Sequence, residues 1–228
     1  QLKKIDYIYV ETTTMKKALE RQGFRNVLVM PNFKDLRVLD KPVYSDKGPL
    51  KLCTLSRVVK DKGIEDAVKA VEIVNKEFGK RVFELDIYGP VDSDQSEWFN
   101  ALKANFPDYI NYKGSVPFDQ TVDVLKNYFA LLFPTKFYTE GIPGTILDAY
   151  AAGLPVIASK WESFSDLIDD GVTGIGFEFD DFDGLVSVLR NIANYPDSIK
   201  DLKTSCINRA KQYKPEEIIQ RIQIGGAS

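Results

Sequence analysis

Two carboxylates stand on either side of a Gly/Pro turn in residues 139–148, which read TEGIPGTILD. Glu140 precedes the turn, and Asp148 lies beyond it in a run with helical spacing. A turn that opens a helix exposes backbone N–H groups, and the helix dipole favours anions such as phosphate at that end. Carboxylates beside such a turn can accept hydrogen bonds from sugar hydroxyls. Phosphate and sugar binding at one place indicates a nucleotide sugar.

The same two carboxylates allow other interpretations. Asp148 could be a solvated first-turn residue that the helix dipole favours, and Glu140 an exposed loop residue. A further hypothesis is an acid/base pair like that of a glycosidase, which needs two carboxylates facing each other across a sugar. Spacing along the chain does not distinguish among these interpretations.

A basic loop, residues 56–63, follows a strand-like run at residues 50–55. Arg57 can hold a diphosphate through its bidentate fork, and Lys62 can add a point charge. Gly63 permits close backbone approach before the next helix. The loop therefore predicts phosphate binding at the carboxyl end of a strand. The alternative is that its cations simply solvate a surface loop.

Two more loops follow predicted strands, at Gly89-Pro90 and at residues 114–116. Either loop can supply backbone groups to a nucleotide base, with Val116 as an apolar contact. Such loops occur in every protein that alternates strands and helices, so each is a nonspecific signal by itself.

Composition and charge exclude several classes of function. The net charge of −3 provides no basic surface overall, so nucleic acid is not an expected partner. The chain has no histidine. It therefore cannot by itself build a Ser-His or Cys-His nucleophile or a histidine-based metal site. Any general acid or base must be another residue type or come from elsewhere.

The cysteines and the hydrophobic runs indicate in which compartment the protein is expected. Cys53 and Cys206 lack the spacing of metal ligands, and we expect both to be small buried residues in a reducing compartment. No apolar run approaches the roughly 20 residues of a membrane span. The first residue is Gln1 rather than Met, which leaves room for an upstream signal or domain.

Strand-like runs alternate with helical patterns along most of the chain. The predicted strands cover residues 50–55, 83–88, 110–112, 130–133, 155–159 and 176–179. The predicted helices cover residues 64–78, 97–105, 119–128, 145–152, 183–193, 198–212 and 215–222. Ahead of them, residues 6–10 and 27–30 read as strands around a helix at 15–22, and residues 34–49 read as a linker.

This alternation predicts an α/β fold with a doubly wound parallel sheet and helices on both faces. Most of the strands are short and apolar on both faces, as parallel strands covered by two helical layers must be. Ligands of such sheets bind outside the carboxyl ends of the strands, where the candidate loops lie.

Together the motifs resemble the C-terminal, donor-binding domain of a GT-B glycosyltransferase of the large retaining family 4, the glycosyl transferases group 1. The similarity runs from about Pro31 to Tyr213. It is carried by Ser56-Arg57 with Lys62-Gly63, by Glu140-Gly-Ile-Pro with Asp148 eight residues after Glu140, and by the runs AAGLPVIAS at 151–159 and DGVTG at 170–174. Asp148 stands where the family usually has Glu.

The resemblance implies a Rossmann-like half of GT-B and a role for each matching residue. Arg57 and Lys62 would neutralise the donor diphosphate as it leaves, so no metal or other cofactor is implied. Glu140 would bind hydroxyls of the transferred sugar, and Asp148 the ribose hydroxyls. The amides of Gly144 and Thr145 would face phosphate or sugar, and the backbone near Val116 the base. The implied donor-binding set is Gly63, Gly89, Val116, Gly141, Ile142, Gly144, Thr145 and Asp148.

The resemblance also implies a domain order. Residues 1–30 match the end of an N-terminal acceptor-binding domain, residues 31–213 form the nucleotide-sugar domain, and residues 214–228 form a C-terminal helix and tail. The partners would be a nucleotide sugar and the rest of the N-terminal domain, so this chain alone should bind donor but transfer sugar poorly or not at all. The expected location is cytoplasmic, with peripheral membrane contact through the other half left open.

Two other function classes remain open from the sequence. One is a related GT-B protein, such as a sugar-nucleotide epimerase or a phosphorylase. The other is a Rossmann-like domain without catalysis that serves ligand binding or protein contact.

Overall fold

The computed structural model describes residues 5–44 and 48–225, and side chains up to residue 220. Residues 45–47 of the predicted linker and residues 226–228 of the predicted tail lie outside the described residues. Across the described part of the chain, no helix combines the length and the apolar character that crossing a membrane requires.

A small N-terminal unit comes first. Strand β1 (Ile8–Val10) pairs in parallel with β2 (Val27–Val29), and helix α1 (Thr13–Arg21) connects them. Thr12 caps α1 by accepting a hydrogen bond of 3.0 Å from the backbone N–H of Met15. The predicted strand–helix–strand order of this region is confirmed.

Six parallel strands form the main sheet. They are β3 (Leu50–Leu55), β4 (Phe83–Tyr88), β5 (Ile110–Gly114), β6 (Ala130–Phe133), β7 (Val156–Ser159) and β8 (Gly174–Phe177), and their spatial order is β5-β4-β3-β6-β7-β8. The chain starts at β3, moves outward to β5, and returns to lay β6 on the other side of β3. This reversal of strand order between β3 and β6 is the topological switch point.

Helices cover both faces of the sheet, as the sequence predicts. They are α2 (Ile64–Glu77), α3 (Ser96–Lys103), α4 (Thr121–Leu125), α5 (Gly144–Ala151), α6 (Phe164–Leu167), α7 (Phe182–Asn194), α8 (Asp197–Lys200), α9 (Lys203–Lys211) and α10 (Pro215–Gly225). In α2, Ile64, Ala67, Val68 and Val71 recur at helical spacing and are all buried. One apolar core lies under α2, α3 and α7, and a second lies under α4, α5 and α9.

The prediction of one helix over residues 198–212 is wrong, because the chain turns at Asp201 and Leu202 between α8 and α9. Ile199 and Leu202 belong to the core on one side of the sheet, whereas Cys206 belongs to the core on the other. A single straight helix buries only one face, so it could not serve both cores.

The last strand is placed two residues too late in the prediction, which gave 176–179 instead of 174–177. The first and third residues of β8, Gly174 and Gly176, are glycines at positions that neighbouring atoms crowd. A Cβ on Gly174 would lie 2.2 Å from the carbonyl oxygen of Val156, and one on Gly176 would lie 2.7 Å from Phe164. Helix α6, which supplies Phe164, was not predicted.

Residues 31–44 contain no helix or strand, in line with the predicted linker, but they pack onto the domain. Leu36 is buried in the core under α5, and the backbone N–H of Leu39 donates to the carbonyl oxygen of Ala151 at 2.9 Å. This segment therefore belongs to the wall of the domain and can contribute side chains to a site.

Candidate functional site

The centre of the candidate site is the switch point, where the loops after β3 and β6 lie side by side. Lys62 ends a short 3₁₀ turn in the first loop, and Glu140 lies in the second. The ammonium of Lys62 donates to Oε1 of Glu140, although the residues are 78 positions apart. The hydroxyl of Thr135 donates to the same oxygen at 3.1 Å. The structure thus joins Lys62, predicted to bind the diphosphate, to Glu140, predicted to bind the sugar.

The Lys62–Glu140 pair is largely removed from solvent, with 17% and 12% of the two side chains exposed. The alternative that Glu140 is an exposed loop residue is therefore wrong, and so is the alternative that Lys62 merely solvates a surface loop. Removing one partner of such a pair would leave the other as a largely buried charge without its counterion.

Gly63 has a structural reason to be glycine. Its φ of +68° lies in the left-handed region, and a Cβ there would come within 1.8 Å of the carbonyl oxygen of Pro134. The loop after β3 is therefore pressed against the start of the loop after β6. This contact holds Lys62, the preceding residue, in reach of Glu140.

Arg57 lies on the same sheet edge but has a different partner. Its Nη1 is 2.8 Å from Oδ2 of Asp92, in the segment after β4, and most of the Arg57 side chain is exposed. The structure does not bring Arg57 to Glu140. A contact between Arg57 and a diphosphate stays a prediction that would require the guanidinium to leave Asp92.

Gly89 and Val116 complete this edge of the sheet. Gly89 has a φ of +131°, and a Cβ there would lie 1.6 Å from the carbonyl oxygen of Ser56, so close packing of the loops after β3 and β4 requires glycine. The hydroxyl of Tyr112 donates to the Gly89 carbonyl at 2.8 Å. Val116 is half-buried in the loop after β5.

Asp148 lies in the middle of α5 and is buried. The alternative of a solvated first-turn residue is therefore wrong. Both of its carboxylate oxygens lie 2.7 Å from Nζ of Lys34. Burial raises the pKa of Asp148 above its ordinary value, and the Lys34 ammonium opposes that rise.

Lys34 is not among the predicted site residues, because it lies in the polar segment that the sequence predicts to be a linker. The only local signal is its place directly after Pro31-Asn32-Phe33, where a strand has just ended. Its approach to Asp148 depends on a contact 114 residues away in sequence.

The turn before α5 is held by the N-terminal segment. Oε2 of Glu11 accepts a hydrogen bond of 2.7 Å from the backbone N–H of Ile142, and Nδ2 of Asn32 donates to the Ile142 carbonyl at 2.9 Å. A Cβ on Gly141 would lie 2.1 Å from Oε2 of Glu11, so glycine leaves room for this carboxylate. Neither Glu11 nor Asn32 was predicted as a site residue.

The N-terminus of α5 lies directly after the turn that carries Glu140. No side chain caps this helix. Among the described residues, the buried hydroxyl oxygen of Thr145 has no hydrogen-bond partner. Gly144 and Thr145 therefore lie where an anionic ligand would find donors.

A cavity of about 390 Å³ opens beside Asp148, which is within the usual size range for small-molecule sites. Lys34, Arg37, Phe118 and Thr121 are among the residues that line it. Within residues 5–44 and 48–225, no three His, Cys, Asp or Glu side chains come together in a way that could hold a metal ion.

Comparison with models of known protein families identifies the family of this chain. The family described as "Glycosyl transferases group 1" matches residues 49–194, a range that contains both Lys62 and Glu140. The chain belongs to this family. The expected membership of the glycosyl transferases group 1 is therefore confirmed, and the matched range covers the main sheet and the switch point.

Curated relatives of this glycosyl transferases group 1 chain include two named glycosyltransferases. The GtfA subunit of the UDP-N-acetylglucosamine–peptide N-acetylglucosaminyltransferase of Streptococcus pneumoniae is 30% identical over 158 residues, which are 68% of this chain and 30% of the relative. The amylovoran biosynthesis glycosyltransferase AmsK of Erwinia amylovora is 26% identical over 149 residues, which are 64% of this chain and 36% of the relative. The chain spans about a third of the length of these relatives.

The fold is also that of solved structures. The crystal structure of Anabaena Alr3699/HepE in complex with UDP and glucose matches with a TM-score of 0.79 at 14% identity, over 97% of this chain and 63% of HepE. A likeness at this identity shows the fold alone. It confirms the predicted parallel, Rossmann-like architecture.

Proposed function

We propose that this chain is the donor-binding domain of a retaining glycosyltransferase, which transfers a sugar from a nucleotide-diphosphate sugar to an acceptor. The observation that carries the proposal is the Lys62–Glu140 ion pair at the switch point of the sheet. It puts a cation suited to phosphate beside a carboxylate suited to sugar hydroxyls, at the edge where doubly wound sheets bind ligands. GtfA is named for UDP-N-acetylglucosamine, and HepE was solved with UDP and glucose, which supports this donor class.

Lys62 and Arg57 would neutralise the negative charge of the donor diphosphate. The Lys62 ammonium has three N–H donors, of which Glu140 takes one, so the others can face phosphate oxygens. Arg57 would exchange Asp92 for the diphosphate at small cost, since an exposed ion pair is weak. These positive charges would do the work that a metal ion does at other phosphate sites, so the proposal includes no metal or other cofactor.

In the proposed transfer, the bond between the anomeric carbon and the diphosphate oxygen breaks, and the acceptor oxygen bonds to the same face of that carbon. The departing phosphate oxygen takes the proton of the acceptor hydroxyl. Arg57 and Lys62 stabilise the negative charge that develops on the diphosphate. Glu140 binds hydroxyls of the transferred sugar and so fixes its orientation.

The other predicted residues would hold the nucleotide. Asp148 would bind the ribose, and the amides of Gly144 and Thr145 would bind phosphate at the uncapped start of α5. The N–H of Ile142 already serves Glu11, so Ile142 and Gly141 would act through the position of the turn. The remaining predicted residues are Gly63, Gly89 and Val116. Through the packing of their loops they would form the side of the site that contacts the nucleotide base.

The domain order expected from the sequence is part of the proposal. Residues 1–30 would belong to an acceptor-binding domain, residues 31–213 would bind the donor, and residues 214–228 would form a helix and tail after the donor domain. The complete enzyme would act in the cytoplasm in polysaccharide biosynthesis, and the relative AmsK is named for amylovoran biosynthesis. Without the rest of the acceptor-binding domain, this chain would bind donor and transfer little sugar.

Titration calorimetry with UDP-, GDP- and ADP-sugars tests the proposal. At least one donor should bind to the chain. The Lys62→Ala variant should bind that donor roughly 10–150-fold more weakly, the range expected when one charge-assisted contact is lost. Lys69→Ala is the matched control, because Lys69 pairs with Glu65 on the exposed side of α2 and should leave affinity unchanged.

Thermal unfolding of both variants verifies that they are folded under the titration conditions. A folded wild-type chain that binds none of these sugars would support a protein-contact role instead. A chain that binds a donor equally well with and without Lys62 would remove Lys62 from the diphosphate site. Product analysis of the full-length protein with the bound donor separates sugar transfer from epimerisation and phosphorolysis.

A further inference from the structure

Lys34 lies across the first turns of α5, between two groups assigned to the donor. Its stem passes Gly144, where an added Cβ would meet Cδ of Lys34 at 3.6 Å. Its ammonium then reaches Asp148, with 2.7 Å from Nζ to each carboxylate oxygen. The side chain thus follows one face of the helix from its uncapped start to the buried carboxylate.

The side chains of Lys34 and Asp148 differ in how much of their surface is exposed to solvent. Asp148 has 7% of its side chain exposed, whereas Lys34 has 32%. A carboxylate this deeply buried needs a counterion or a full set of donors to stay charged. Lys34 supplies that charge, and both residues line the same cavity.

The pair offers a ligand more than a carboxylate alone. An ionised carboxylate only accepts hydrogen bonds, and an ammonium only donates them. A vicinal diol can do both, since each hydroxyl donates once and accepts through its oxygen. Asp148 uses two of the three Lys34 donors, which leaves one for a ligand oxygen. This donor and acceptor set fits the ribose of a nucleotide.

We propose that Lys34 and Asp148 bind the ribose diol of the donor nucleotide as a unit, with Asp148 as acceptor and Lys34 as donor. This inference rests on the proposed function. It makes Lys34, from the segment between β2 and β3, a specificity-determining residue that distinguishes ribose from 2′-deoxyribose.

The test compares UDP, GDP and ADP with their 2′-deoxy counterparts by titration calorimetry. The wild-type chain should prefer the ribonucleotide that it binds by about 10-fold or more, the effect of one charge-assisted hydrogen bond. Lys34→Met should reduce that preference below about threefold, and Lys34→Arg, which keeps a charged donor, should retain most of it. Lys126→Met is the matched control and should keep the wild-type preference, because Lys126 is also 32% exposed and pairs with a carboxylate, that of Asp123.

A second measurement needs no variant, in case Lys34→Met does not fold. Acetic anhydride labels exposed lysines, and mass spectrometry reads the labelling of each one. The ribonucleotide should slow labelling of Lys34 several-fold more than its 2′-deoxy form does. Lys126 is the internal reference, since its side chain is also 32% exposed and pairs with Asp123.

The outcomes separate the inference from the proposed function. A wild-type chain that binds no nucleotide overturns both. A chain that binds nucleotides, but keeps its ribose preference in Lys34→Met, overturns the role of Lys34 alone. Tighter ribonucleotide binding by Lys34→Met also overturns it, because Lys34 would then be an occupant that the ligand displaces. Equal labelling of Lys34 with and without saturating nucleotide has the same consequence.

Discussion

The carboxylate of Glu11 accepts a hydrogen bond of 2.7 Å from the backbone N–H of Ile142, 131 residues further along the chain. Glu11 directly follows β1, in the small N-terminal unit, whereas Ile142 belongs to the turn that carries Glu140 into the switch point. Asn32 binds the same residue on its other side by donating to the Ile142 carbonyl. The candidate donor loop is therefore positioned by residues outside the main sheet.

Removing the Glu11 carboxylate should loosen this loop. Glu11→Ala is expected to lower the free energy of unfolding by about 1–3 kcal/mol, the usual cost of leaving a partly buried N–H without its charged acceptor. Glu11→Gln keeps an acceptor oxygen and should recover most of the loss. Urea unfolding measures both changes.

The control for Glu11 is Glu20→Ala. Glu20 forms an exposed pair with Lys16 on α1 at 3.8 Å, so its removal should change stability by less than about 0.5 kcal/mol. Equal effects of Glu11→Ala and Glu20→Ala would contradict a holding role for Glu11.

The Lys62–Glu140 pair predicts a non-additive mutant cycle. Lys62→Met leaves a largely buried carboxylate without its counterion and should lower the free energy of unfolding by about 2–4 kcal/mol. Adding Glu140→Gln removes that charge and should restore at least about 1 kcal/mol. The measurement is urea unfolding of the two single variants and the double variant. Strict additivity would show that the two side chains do not interact in solution.

Gly63 should tolerate alanine far less than Gly79 does. Both glycines have positive φ angles, +68° and +60°, but an added Cβ meets the Pro134 carbonyl oxygen at 1.8 Å in Gly63 and nothing within 4 Å in Gly79. Gly79→Ala should therefore cost only the backbone strain, about 1–2 kcal/mol. Gly63→Ala adds a collision between two loops, and we expect a larger loss of thermal stability. Equal melting temperatures for the two variants would contradict the loop contact.

Lys203 should make stability depend on pH. It is buried, its Nζ donates to the Tyr128 carbonyl at 3.0 Å, and burial lowers the pKa of Lys203 from 10.5 to about 8. Between these values the unfolded chain holds a proton that the folded protein has released, so stability rises with pH and is lost as pH falls through about 8. The full change is on the order of 3 kcal/mol.

Lys203→Met removes this titration while keeping the volume of the side chain. The difference in unfolding free energy between wild type and Lys203→Met should rise from pH 7 to pH 10, as measured by urea unfolding at each pH. A difference that stays flat over this range would show that the Lys203 amine is not desolvated in the folded protein.

The main sheet could be predicted because its strands carry their own signal. All residues of β6 and β7 are buried and all except Ser159 are apolar, and such short apolar runs between helices are visible in the sequence. Strand β8 carries no such signal at its start. Its first residue, Gly174, must be glycine because a Cβ there would collide with the Val156 carbonyl oxygen on the neighbouring strand. The residues around Gly174 in the sequence do not indicate this contact.

The residues of the candidate site also fall into two groups, those that the sequence predicted and those that it did not. Lys62, Glu140 and Asp148 were predicted because each follows a strand or opens a helix in a recognisable order. Glu11 and Lys34 were missed because their roles come from partners more than a hundred residues away. A single carboxylate after a short strand, or a lysine in a polar segment, has no local pattern that distinguishes it from a solvated side chain.

The sequence by itself determined which chemical groups reach the carboxyl edge of the sheet, since a loop that follows a parallel strand must emerge there. Only the tertiary structure decided how those groups pair. Because β6 lies beside β3, Lys62 meets Glu140, while Arg57 turns to Asp92 in the segment after β4 on the other side. Because residues 31–44 dock onto α5, Lys34 meets Asp148. Strand order and docking follow from packing across the whole chain, which the periodicity of each segment does not specify.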